Sequence, residues 1–397
     1  MDISQLNDEA KQCTTSAVAF LQDLIAIPSL TCQEGAAISR TAEEMKNCGF
    51  DEVTIDPMGN LLGRIGFGSH IIAMDAHIDT VDIGNRNKWP HDPFAAVEHD
   101  GIIYGRGAAD MKGSVAALIY AGKLIKKLRL DADFTLFVTI TVQEEDCEGL
   151  SWQYIVQQDG IKPEVVLICE PSNLNLIRGH KGRTEFEITV EGVASHGSEP
   201  DKGINAIYKS IPILEEISHL NSKLAVESFL GKRSIAVTHI QSMTPSLNAI
   251  PDLVKLFADR RLTQSESRES VLKEIQDLKS VRATNAQVVI PNYDMASYTG
   301  LQYPMEKYFP TWMLDENHPV LHRAAALYKQ LFGKKAEIKK WNFSTNGVAT
   351  AGLFGIPTFG FGPADPLYAH TIDDQCPVWQ ITESMKFYAA FPSYYLS

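Results

Sequence analysis

The first 180 residues alternate between stretches with helical spacing of apolar residues and short, continuously apolar runs. Helical spacing covers residues 12–25 and 36–49, whereas HIIAMDAH, FTLFVTITV and EVVLICE are apolar runs that end in acidic or polar positions. Between the first two runs, residues 112–127 carry closely spaced apolar residues and no proline, which predicts a buried helix. Continuously apolar strands alternating with helices are typical of a largely parallel sheet covered on both faces. We therefore predict an α/β fold for this part.

From about residue 183 the pattern changes. TEFEITVEG and SIAVTHIQS alternate apolar and polar residues, and INAIYKSIPILEEISHL between them has helical spacing. The strand-like DLVKLFADRRL, the helical ESVLKEIQDLKS and the strand-like NAQVVI follow. This β-α-β-β-α-β order predicts a ferredoxin-like α+β unit.

After roughly residue 300 the chain is rich in loops, then helical at PVLHRAAALYKQLF, strand-like at PTFGFG and helical again at its end. A chain of 397 residues suggests about two domains. We predict a discontinuous α/β domain, formed by residues 1–182 and 296–397, with a mostly parallel sheet flanked by helices. Residues 183–295 would form the inserted ferredoxin-like domain.

Composition narrows the classes of partner and compartment. The 36 basic and 49 acidic residues give a net charge of −13, which repels polyphosphate, so nucleic acid is a poor partner. The amino terminus has no basic leader followed by an apolar run, and no uninterrupted apolar run reaches about 18 residues. The six cysteines are scattered without a C-x-x-C pair. We therefore predict a cytoplasmic protein that is neither exported nor inserted into a membrane.

His77 and Asp79 stand two residues apart where the first apolar run ends, so both side chains leave on the same side. A histidine at a strand end is usually structural. A nearby carboxylate, however, can hold the second ring nitrogen of a metal-bound histidine. The pair makes His77 a candidate metal ligand and Asp79 its orienting residue.

The segment GRGAADMKG precedes the predicted buried helix and has three glycines in nine residues. Glycine permits a tight backbone next to Asp110. The spacing matches neither G-x-x-x-x-G-K-[ST] nor G-x-G-x-x-G, so a phosphate-binding loop is disfavoured. Asp110 is therefore either a helix cap or a ligand.

Further acidic residues follow the next two apolar runs. Glu144, Glu145 and Asp146 follow one run, and Glu170 follows the other. Such residues usually form a solvated turn, but a glutamate after five apolar residues is costly to bury unless it is paired or metal-bound. Far along the chain, His370 follows a loop with glycine and proline, and its alternative is an ordinary surface residue.

These positions would converge at one edge of the sheet, because parallel strands end on the same side. Converging carboxylates repel one another, whereas two divalent cations would balance Asp110, Glu144, Glu145 and Glu170. Mixed imidazole and carboxylate ligation suits Zn²⁺, and also Co²⁺ or Mn²⁺, whereas calcium prefers an all-oxygen cage. We predict two divalent metal ions per chain, with zinc as the first candidate.

The sequence resembles the zinc amidohydrolase and exopeptidase family that includes acetylornithine deacetylase, succinyl-diaminopimelate desuccinylase and carboxypeptidase G2. The matching segments occur in family order over nearly the whole chain: AHIDTV, GRGAADMKG, QEED, CEPSN, SHGSEP, LNAIPD, DRRL and the late histidine. The resemblance implies that one metal takes His77, Asp110 and Glu170. It implies that the other metal takes Asp110, Glu145 and His370, with Asp110 as the bridge.

The resemblance also implies roles beyond metal binding. Glu144 matches the family's catalytic carboxylate, which takes a proton from the attacking water and passes it to the leaving amine. Asp79 would orient His77. The inserted domain would be a lid and dimerisation unit, and His196 would supply an oxyanion contact across a homodimer. The alternative for His196 is an ordinary turn histidine.

Asn248 and Arg261 match residues that grip the substrate in relatives, although Arg260 is equally suited by position and an exposed salt bridge is the alternative. One departure concerns FSTNGVAT, which has Asn346 where many relatives have a segment ending in arginine. A familiar carboxylate anchor is therefore missing. FSTNG and VASHGSEPDKGINAI instead resemble a less characterised, deacylase-like subgroup linked to selenium metabolism.

We predict hydrolysis of a linear amide bond in a small N-acyl amino compound, with aminopeptidase or dipeptidase activity as the alternative within the same chemistry. A non-catalytic metal-binding protein is a third hypothesis, but every matched position is filled. Cys147 and Cys169 adjoin proposed ligands, and we favour buried packing over thiolate ligation for both. The aromatic residues near 293–309 either cover a hinge or line a substrate pocket.

Overall fold

The computed structural model describes residues 2–130 and 133–397; Met1, which begins the amino-terminal stretch considered above, and residues 131 and 132 lie outside the described residues. The helices are α1 (Ile3–Ala26), α2 (Gly35–Asn47), α3 (Gly113–Leu128), α4 (Leu150–Gln157), α5 (Ala206–Lys223), α6 (Arg268–Gln276), α7 (Lys279–Thr284), α8 (Pro319–Phe332) and α9 (Val378–Leu396). The strands of the two principal sheets are β1 (Glu52–Ile55), β2 (Leu61–Ile65), β3 (His70–His77), β4 (Phe134–Thr141), β5 (Val165–Ile168), β6 (Leu176–Ile177), β7 (Gly182–Glu191), β8 (Ser234–Met243), β9 (Leu253–Leu262), β10 (Gln287–Val289), β11 (Ile338–Lys339) and β12 (Thr358–Gly360).

The larger sheet has the strand order β1-β2-β4-β3-β5-β12-β6-β11 within the described part of the chain. Its centre is parallel, since β3 pairs in parallel with β4 and β5, and β5 pairs in parallel with β12. Alternate residues of one strand enter different hydrophobic cores: Ile72 and Met74 of β3 join one core, and Ala73 joins another. Both faces of the sheet are therefore covered, as the continuously apolar runs predict.

Helices α1, α3 and α9 pack against one another beside this sheet. The predicted helix over 112–127 corresponds to α3. The helix α1 begins well before the predicted residue 12, because the side chain of Asp2 accepts the N–H groups of Ser4 and Gln5 and caps it. Among the described residues we find no helix with the length and hydropathy needed to cross a bilayer.

The smaller sheet has the order β8-β9-β7-β10, with a fifth short strand, Tyr308–Phe309, that also pairs with β7, and it is antiparallel. With α5 and α6 it forms a ferredoxin-like unit, here called the insert, whose elements run from β7 to β10. Burial alternates strictly along β9, so one face packs on the helices and the opposite face is half-buried. The insert has its own core, which includes Phe186, Ile213, Leu256 and Ile275. The predicted α/β fold with an inserted ferredoxin-like unit is confirmed.

One predicted helix is interrupted. Residues 269–280 were expected to form a single helix, but α6 ends at Gln276 and α7 begins at Lys279. The carboxylate of Glu216, on α5, accepts the N–H groups of Lys279 and Ser280. This cap from a neighbouring helix starts a new helix where the local pattern predicts continuation.

Candidate active site

Three neighbouring strands of the larger sheet bring the candidate ligands to one edge. His77 is the last residue of β3 and lies opposite Thr141, the last residue of β4. Glu144 and Glu145 follow β4 after a short turn, and Glu170 follows β5 by two residues. The strands end a few residues before the glutamates, so a turn rather than the strand itself aims these side chains.

His77 is buried and held through one ring nitrogen. Its Nδ1 lies 2.9 Å from the backbone carbonyl oxygen of Asp79, to which it donates. Its Nε2 faces carboxylate oxygens: Asp110 Oδ1 at 2.9 Å, Glu170 Oε1 at 3.5 Å and Glu144 Oε2 at 3.9 Å. A ring fixed through Nδ1 in this way presents Nε2 to a metal.

The two carboxylate oxygens of Asp110 point to different histidines. Oδ1 lies beside His77, whereas Oδ2 lies 3.3 Å from His370 Nε2. The same Nε2 is 2.9 Å from Glu145 Oε2. Asp110 therefore stands between two sets of donors, as the bridging role requires.

A glycine turn brings the backbone close to its neighbours just before Asp110. Gly107 has a φ of +85°, and a Cβ there would lie 2.8 Å from Thr80 Cγ2 and 3.0 Å from Lys112 Cδ. Only glycine fits both the conformation and the space. The glycine-rich segment thus allows the tight turn of the backbone that precedes Asp110.

Asp79 holds the turn that carries the two glutamates. Its carboxylate accepts the N–H groups of Glu144 and Glu145, at 3.2 and 3.1 Å, and the hydroxyl of Thr31 at 2.9 Å. The carboxylate oxygen closest to His77 Nδ1 is 3.5 Å away. The expected hydrogen bond from His77 to the Asp79 side chain is thus replaced by one to the backbone carbonyl, because the carboxylate is engaged by the turn.

Both histidines carry strongly perturbed pKa values. Burial alone would lower the pKa of His77, but the charges of Glu170 and Glu144 raise it well above its usual value. A hydrogen bond to Asp110 is the largest influence that raises the pKa of His370, to about 10. The protein without cations would therefore hold protons here, and divalent cations would compete with them.

The pKa values of the carboxylates at the site are also shifted. Burial raises the pKa of Glu145 to about 7, and it raises those of Glu144 and Glu170 further above the usual range. Buried Oε1 atoms of Glu144 and Glu145 have no hydrogen-bond partner among residues 2–130 and 133–397. Such orphaned oxygens are costly in a protein interior, and a cation would satisfy them.

The donor atoms also meet the distances that metal binding needs. Ligand atoms of His77, Asp110 and Glu145 lie within 4.8 Å of one another, and so do those of His77, Glu144 and Glu170. Neither group coincides with a predicted ligand set, because the first pairs His77 with Glu145 and the second includes Glu144, which was expected to transfer protons rather than bind metal. Mixed imidazole and carboxylate donors in this arrangement fit divalent transition metals.

A cavity of about 830 Å³ opens on these residues. Its floor includes Asp110, Glu144, Glu145, Glu170 and His370. The insert and the segments beside it contribute charged side chains to the opposite wall: Arg183, Glu185, Arg261 and Lys307. Tyr293 also lines the cavity, which resolves the ambiguity about the aromatic segment in favour of a pocket role for this residue. A cavity of this size accommodates a small organic molecule.

Arg261 and its neighbour Arg260 have opposite environments. Arg261 lines the cavity and donates from Nε to Asp259 Oδ1 at 2.7 Å. Arg260 is 1% exposed and lies in ion pairs with Glu266 at 2.5 Å and Glu274 at 3.0 Å. The suggestion that Arg260 could take the substrate role is wrong, because the alternation along β9 turns it into the core of the insert.

His196 and Asn248 lie together on the insert but away from the cavity wall. The short strand Ser195–His196 pairs with Ala249–Ile250, and Gly197 N–H donates to the carbonyl oxygen of Asn248 at 2.6 Å. Both side chains are exposed, and neither lines the cavity. Within one chain the structure does not bring them to the candidate metal ligands.

Asn346, at the position of the missing arginine, is buried beneath the site. Its Nδ2 donates to Asp75 Oδ2 at 2.9 Å and to Thr141 Oγ1 at 3.0 Å, and its Oδ1 accepts the N–H of Gly149 at 2.8 Å. The side chain therefore links three segments and does not line the cavity.

Several residues at the site were not predicted. Arg183 forms a two-pronged pair with Glu148 and lines the cavity, and Asp374 binds the turn before Asp110. The sequence signals for them were an arginine directly before the strand-like segment TEFEITVEG, which the structure places within β7, and the second aspartate of TIDD. Cys147 and Cys169 are fully buried, as expected for packing residues.

Comparison with known proteins agrees with this geometry. The model of "Peptidase family M20/M25/M40" matches residues 73–393. The uncharacterized protein YgeY of Escherichia coli (strain K12) is 46% identical over 390 residues, covering 98% of this chain and 97% of its own. Succinyl-diaminopimelate desuccinylase of Pseudoalteromonas atlantica is 26% identical over 386 residues, covering 94% and 96%.

The fold is also shared with solved structures. The Bacillus subtilis YXEP protein, described as a dinuclear metal-binding peptidase from the M20 family, superposes with a TM-score of 0.69 at 16% identity. It covers 96% of this chain, and this chain covers 98% of it. The family match over most of the sequence, together with the cluster of ligands at the sheet edge, identifies the chain as a metal-dependent hydrolase of peptidase family M20/M25/M40.

Proposed function

We propose that the protein hydrolyses a linear amide bond in a small N-acyl amino compound. The observation that carries this proposal is the position of Glu144, whose carboxylate is buried at the cavity floor with Oε2 3.9 Å from His77 Nε2 and Oε1 unpaired within the described chain. The similarity to a desuccinylase over nearly the whole chain supports a deacylase.

Two divalent ions, zinc foremost, would be held by side chains on the cavity floor. One ion would take His77, Asp110 and Glu170, and the other would take Asp110, Glu145 and His370. When bound, such a pair polarises the scissile carbonyl and lowers the pKa of water. A neighbour of similar fold is described as dinuclear, which supports two ions here.

Glu144 would move the protons of the reaction. Its buried carboxylate lies at the cavity floor beside the proposed ligands, where it can take a proton from water and deliver it to the leaving amine. Asp79 fixes the backbone of Glu144 and so limits where its carboxylate can lie. No nucleophilic side chain is required.

Arg261 would bind an anionic part of the substrate. Its Nε is engaged by Asp259, whereas no hydrogen bond from its two terminal nitrogens is found within residues 2–130 and 133–397. A guanidinium that presents its terminal nitrogens to a cavity suits a carboxylate. The other route to such an anchor, an arginine at position 346, does not exist in this chain.

Aminopeptidase or dipeptidase activity is the second candidate. The cavity wall also includes Asp146, Glu185 and Asp294, and the side chains of Asp146 and Asp294 are exposed. These carboxylates favour a substrate with a free ammonium group. A dipeptide has a free α-ammonium group, whereas an N-acyl monoamino acid has none and an N-acyl diamino acid has one only at its second nitrogen.

A homodimer through the insert would complete the site. His196 and Asn248 are exposed and lie off the cavity, and α5 of the insert exposes the large apolar side chains of Ile207, Tyr208 and Ile211. A partner that covers this face could bring its own His196 to the cavity.

All six cysteines are free thiols, which supports the predicted cytoplasmic location.

A substrate panel tests the proposal. The purified protein, loaded separately with Zn²⁺, Co²⁺ or Mn²⁺, would be assayed for amine release from N-acyl amino acids and from dipeptides. We expect hydrolysis of N-acyl compounds, and greater turnover of dipeptides would favour the second candidate. Glu144→Gln should abolish the activity, whereas Glu98→Gln, the same change at an exposed glutamate that does not line the cavity, is the matched control. Metal-loaded protein without activity on either class would contradict the proposal.

A further inference from the structure

We infer that Asp374 is a positioning residue that fixes the loop of Asp110 relative to the loop of His370 and thereby determines how tightly the second metal ion binds. The inference rests on the proposed metal centre and adds to it a residue outside the ligand set.

The Asp374 side chain is fully buried and accepts hydrogen bonds from consecutive parts of one turn. Its Oδ2 lies 2.7 Å from the backbone nitrogen of Gly107 and 3.0 Å from Arg106 Nη1. Its Oδ1 accepts the N–H of Ala109 at 2.8 Å, and its backbone carbonyl accepts the N–H of Gly105 at 3.0 Å. The turn that ends one residue before Asp110 is therefore tied to Asp374 at four points.

The same residue belongs to the loop that presents His370, four positions earlier in the chain. The His370 side chain is 51% exposed, so packing does little to restrain it, and its place depends on its backbone. Its Nε2 approaches Asp110 and Glu145 from the open side of the cavity. Asp374 thus links two ligands that are far apart in sequence but would share one ion.

Arg106 makes this link electrically neutral. It is buried, donates to Asp374, and lies with its guanidinium carbon 4.9 Å from the ring centroid of Trp89. Its other terminal nitrogen donates to the carbonyl oxygen of Asp82 at 3.3 Å. The clamp therefore adds no uncompensated negative charge to a site that already has four carboxylates.

The chemistry of the contacts requires a carboxylate. All the groups that meet the Asp374 side chain are donors, and an ionised carboxylate only accepts. An asparagine of the same shape would turn an NH₂ group toward those donors and lose at least one hydrogen bond. The first ion should be affected less, because His77 and Glu170 do not depend on this clamp.

The test compares Asp374→Asn with Asp373→Asn, which removes the same charge from an exposed neighbouring side chain. Zinc affinity would be measured by competition with a chromophoric chelator, and stoichiometry by elemental analysis after dialysis. We expect two ions in wild type and in Asp373→Asn. In Asp374→Asn we expect one retained ion and a second bound about 10–100-fold more weakly, the usual effect of losing an outer partner of a ligand.

Wild-type affinity for both ions in Asp374→Asn would overturn the inference while leaving the proposed hydrolysis intact. Equal weakening of both ions would also overturn it, because it would indicate general damage. If Asp374→Asn does not fold, as judged by thermal unfolding of the chelated protein, Arg106→Lys takes its place, and unchanged affinity for the second ion in that variant would overturn the inference. Wild type that binds no second ion would defeat the dinuclear centre itself, and the inference with it.

Discussion

The carboxylate of Asp79 accepts the backbone N–H of Glu144 at 3.2 Å. This hydrogen bond joins the end of β3 to the turn that carries the proposed catalytic glutamate. Since His77 is held by the backbone carbonyl of Asp79, Asp79→Asn should leave the ring in place and loosen the turn instead. We expect kcat to fall about tenfold or more with little loss of metal, a result measured by steady-state kinetics and elemental analysis. Loss of metal in proportion to activity would show that the carboxylate orients His77 after all.

Metal saturation should give two equivalents per chain. This prediction rests on the placement of the two Asp110 carboxylate oxygens, one beside His77 and the other beside His370. His370→Ala should lower the stoichiometry to about one, because the remaining set still includes His77 and Glu170. Isothermal titration of chelated protein with zinc measures both values. A single equivalent in wild type at saturation would exclude the bridged arrangement.

The adjacent arginines of β9 should respond in opposite ways. Arg261→Ala should raise KM or lower kcat/KM about 10–100-fold on an anionic substrate, which is the typical value of a hydrogen bond to a charged group, and should leave stability nearly unchanged. Arg260→Ala should instead lower stability, since it removes a buried guanidinium that pairs with Glu266 and Glu274 and leaves Arg233 as the remaining ion-pair partner of Glu266. Kinetics and thermal unfolding of both variants separate the roles. Similar effects of both changes would contradict the assignment of faces.

Catalytic sites should be shared between subunits. His196→Ala and Glu144→Ala are each expected to be inactive or nearly so, since a donor to a developing oxyanion typically contributes about 2.7–4 kcal/mol. A mixed dimer of the two variants contains one site with an intact Glu144 and the partner's intact histidine. Activity should therefore return, to at most about half of the wild-type value per dimer.

The control for this experiment is direct evidence of subunit exchange, from differently tagged chains purified in two steps. Sedimentation of the wild type provides the oligomeric state. Verified mixed dimers without activity would mean that His196 acts within its own chain or has no catalytic part.

Stability should fall in mild acid because of His180. Burial lowers the pKa of this histidine to about 4 from its ordinary 6.5. The ring is neutral in the folded state, with Nδ1 donating to the carbonyl oxygen of Lys181 and Nε2 accepting the N–H of Thr345. Above pH 6.5 His180 is neutral in both the folded and the unfolded chain, so its contribution to stability is fully present. Between pH 6.5 and pH 4, His180 is protonated in the unfolded chain but neutral in the folded chain. The free energy of unfolding therefore falls by about 3 kcal/mol over this range.

Urea unfolding of chelated wild type and His180→Gln, from pH 7 to pH 4, isolates this contribution. The variant should be less stable at pH 7, and the difference should shrink as the pH falls. A constant difference across the range would contradict the low pKa of His180.

Short sequence patterns predicted the features that depend on neighbouring residues, such as strands and the faces of strands. The apolar runs of β3, β4 and β5 predicted the parallel centre, and the polar residues after them indicated the sheet edge where the candidate site lies. The choice between Arg260 and Arg261 was also accessible, since Val254, Leu256 and Ala258 place Arg260 on the apolar phase of β9. Period-two alternation alone would have decided it.

The remaining features depend on partners distant in sequence. The break between α6 and α7 is due to Glu216 on another helix, and the clamp at Asp374 joins residues 267 positions apart at Gly107. A single sequence has no local signal for such pairs. The hydrogen bonds of the Asn346 side chain with Asp75 and Gly149 likewise depend on the tertiary fold, which places these residues beside it.

The position of β12 between β5 and β6 sets the order in which a nascent chain can fold. The strands and helices of the insert are consecutive in sequence, so they can pair soon after they leave the ribosome. β5 must wait for β12, which is made only after the whole insert. At about 5–20 residues per second, one edge of the central strands stays unpaired for on the order of ten seconds or more. During that interval the edge of β5 that β12 later covers has unpaired backbone N–H and C=O groups, which can pair with other extended chains.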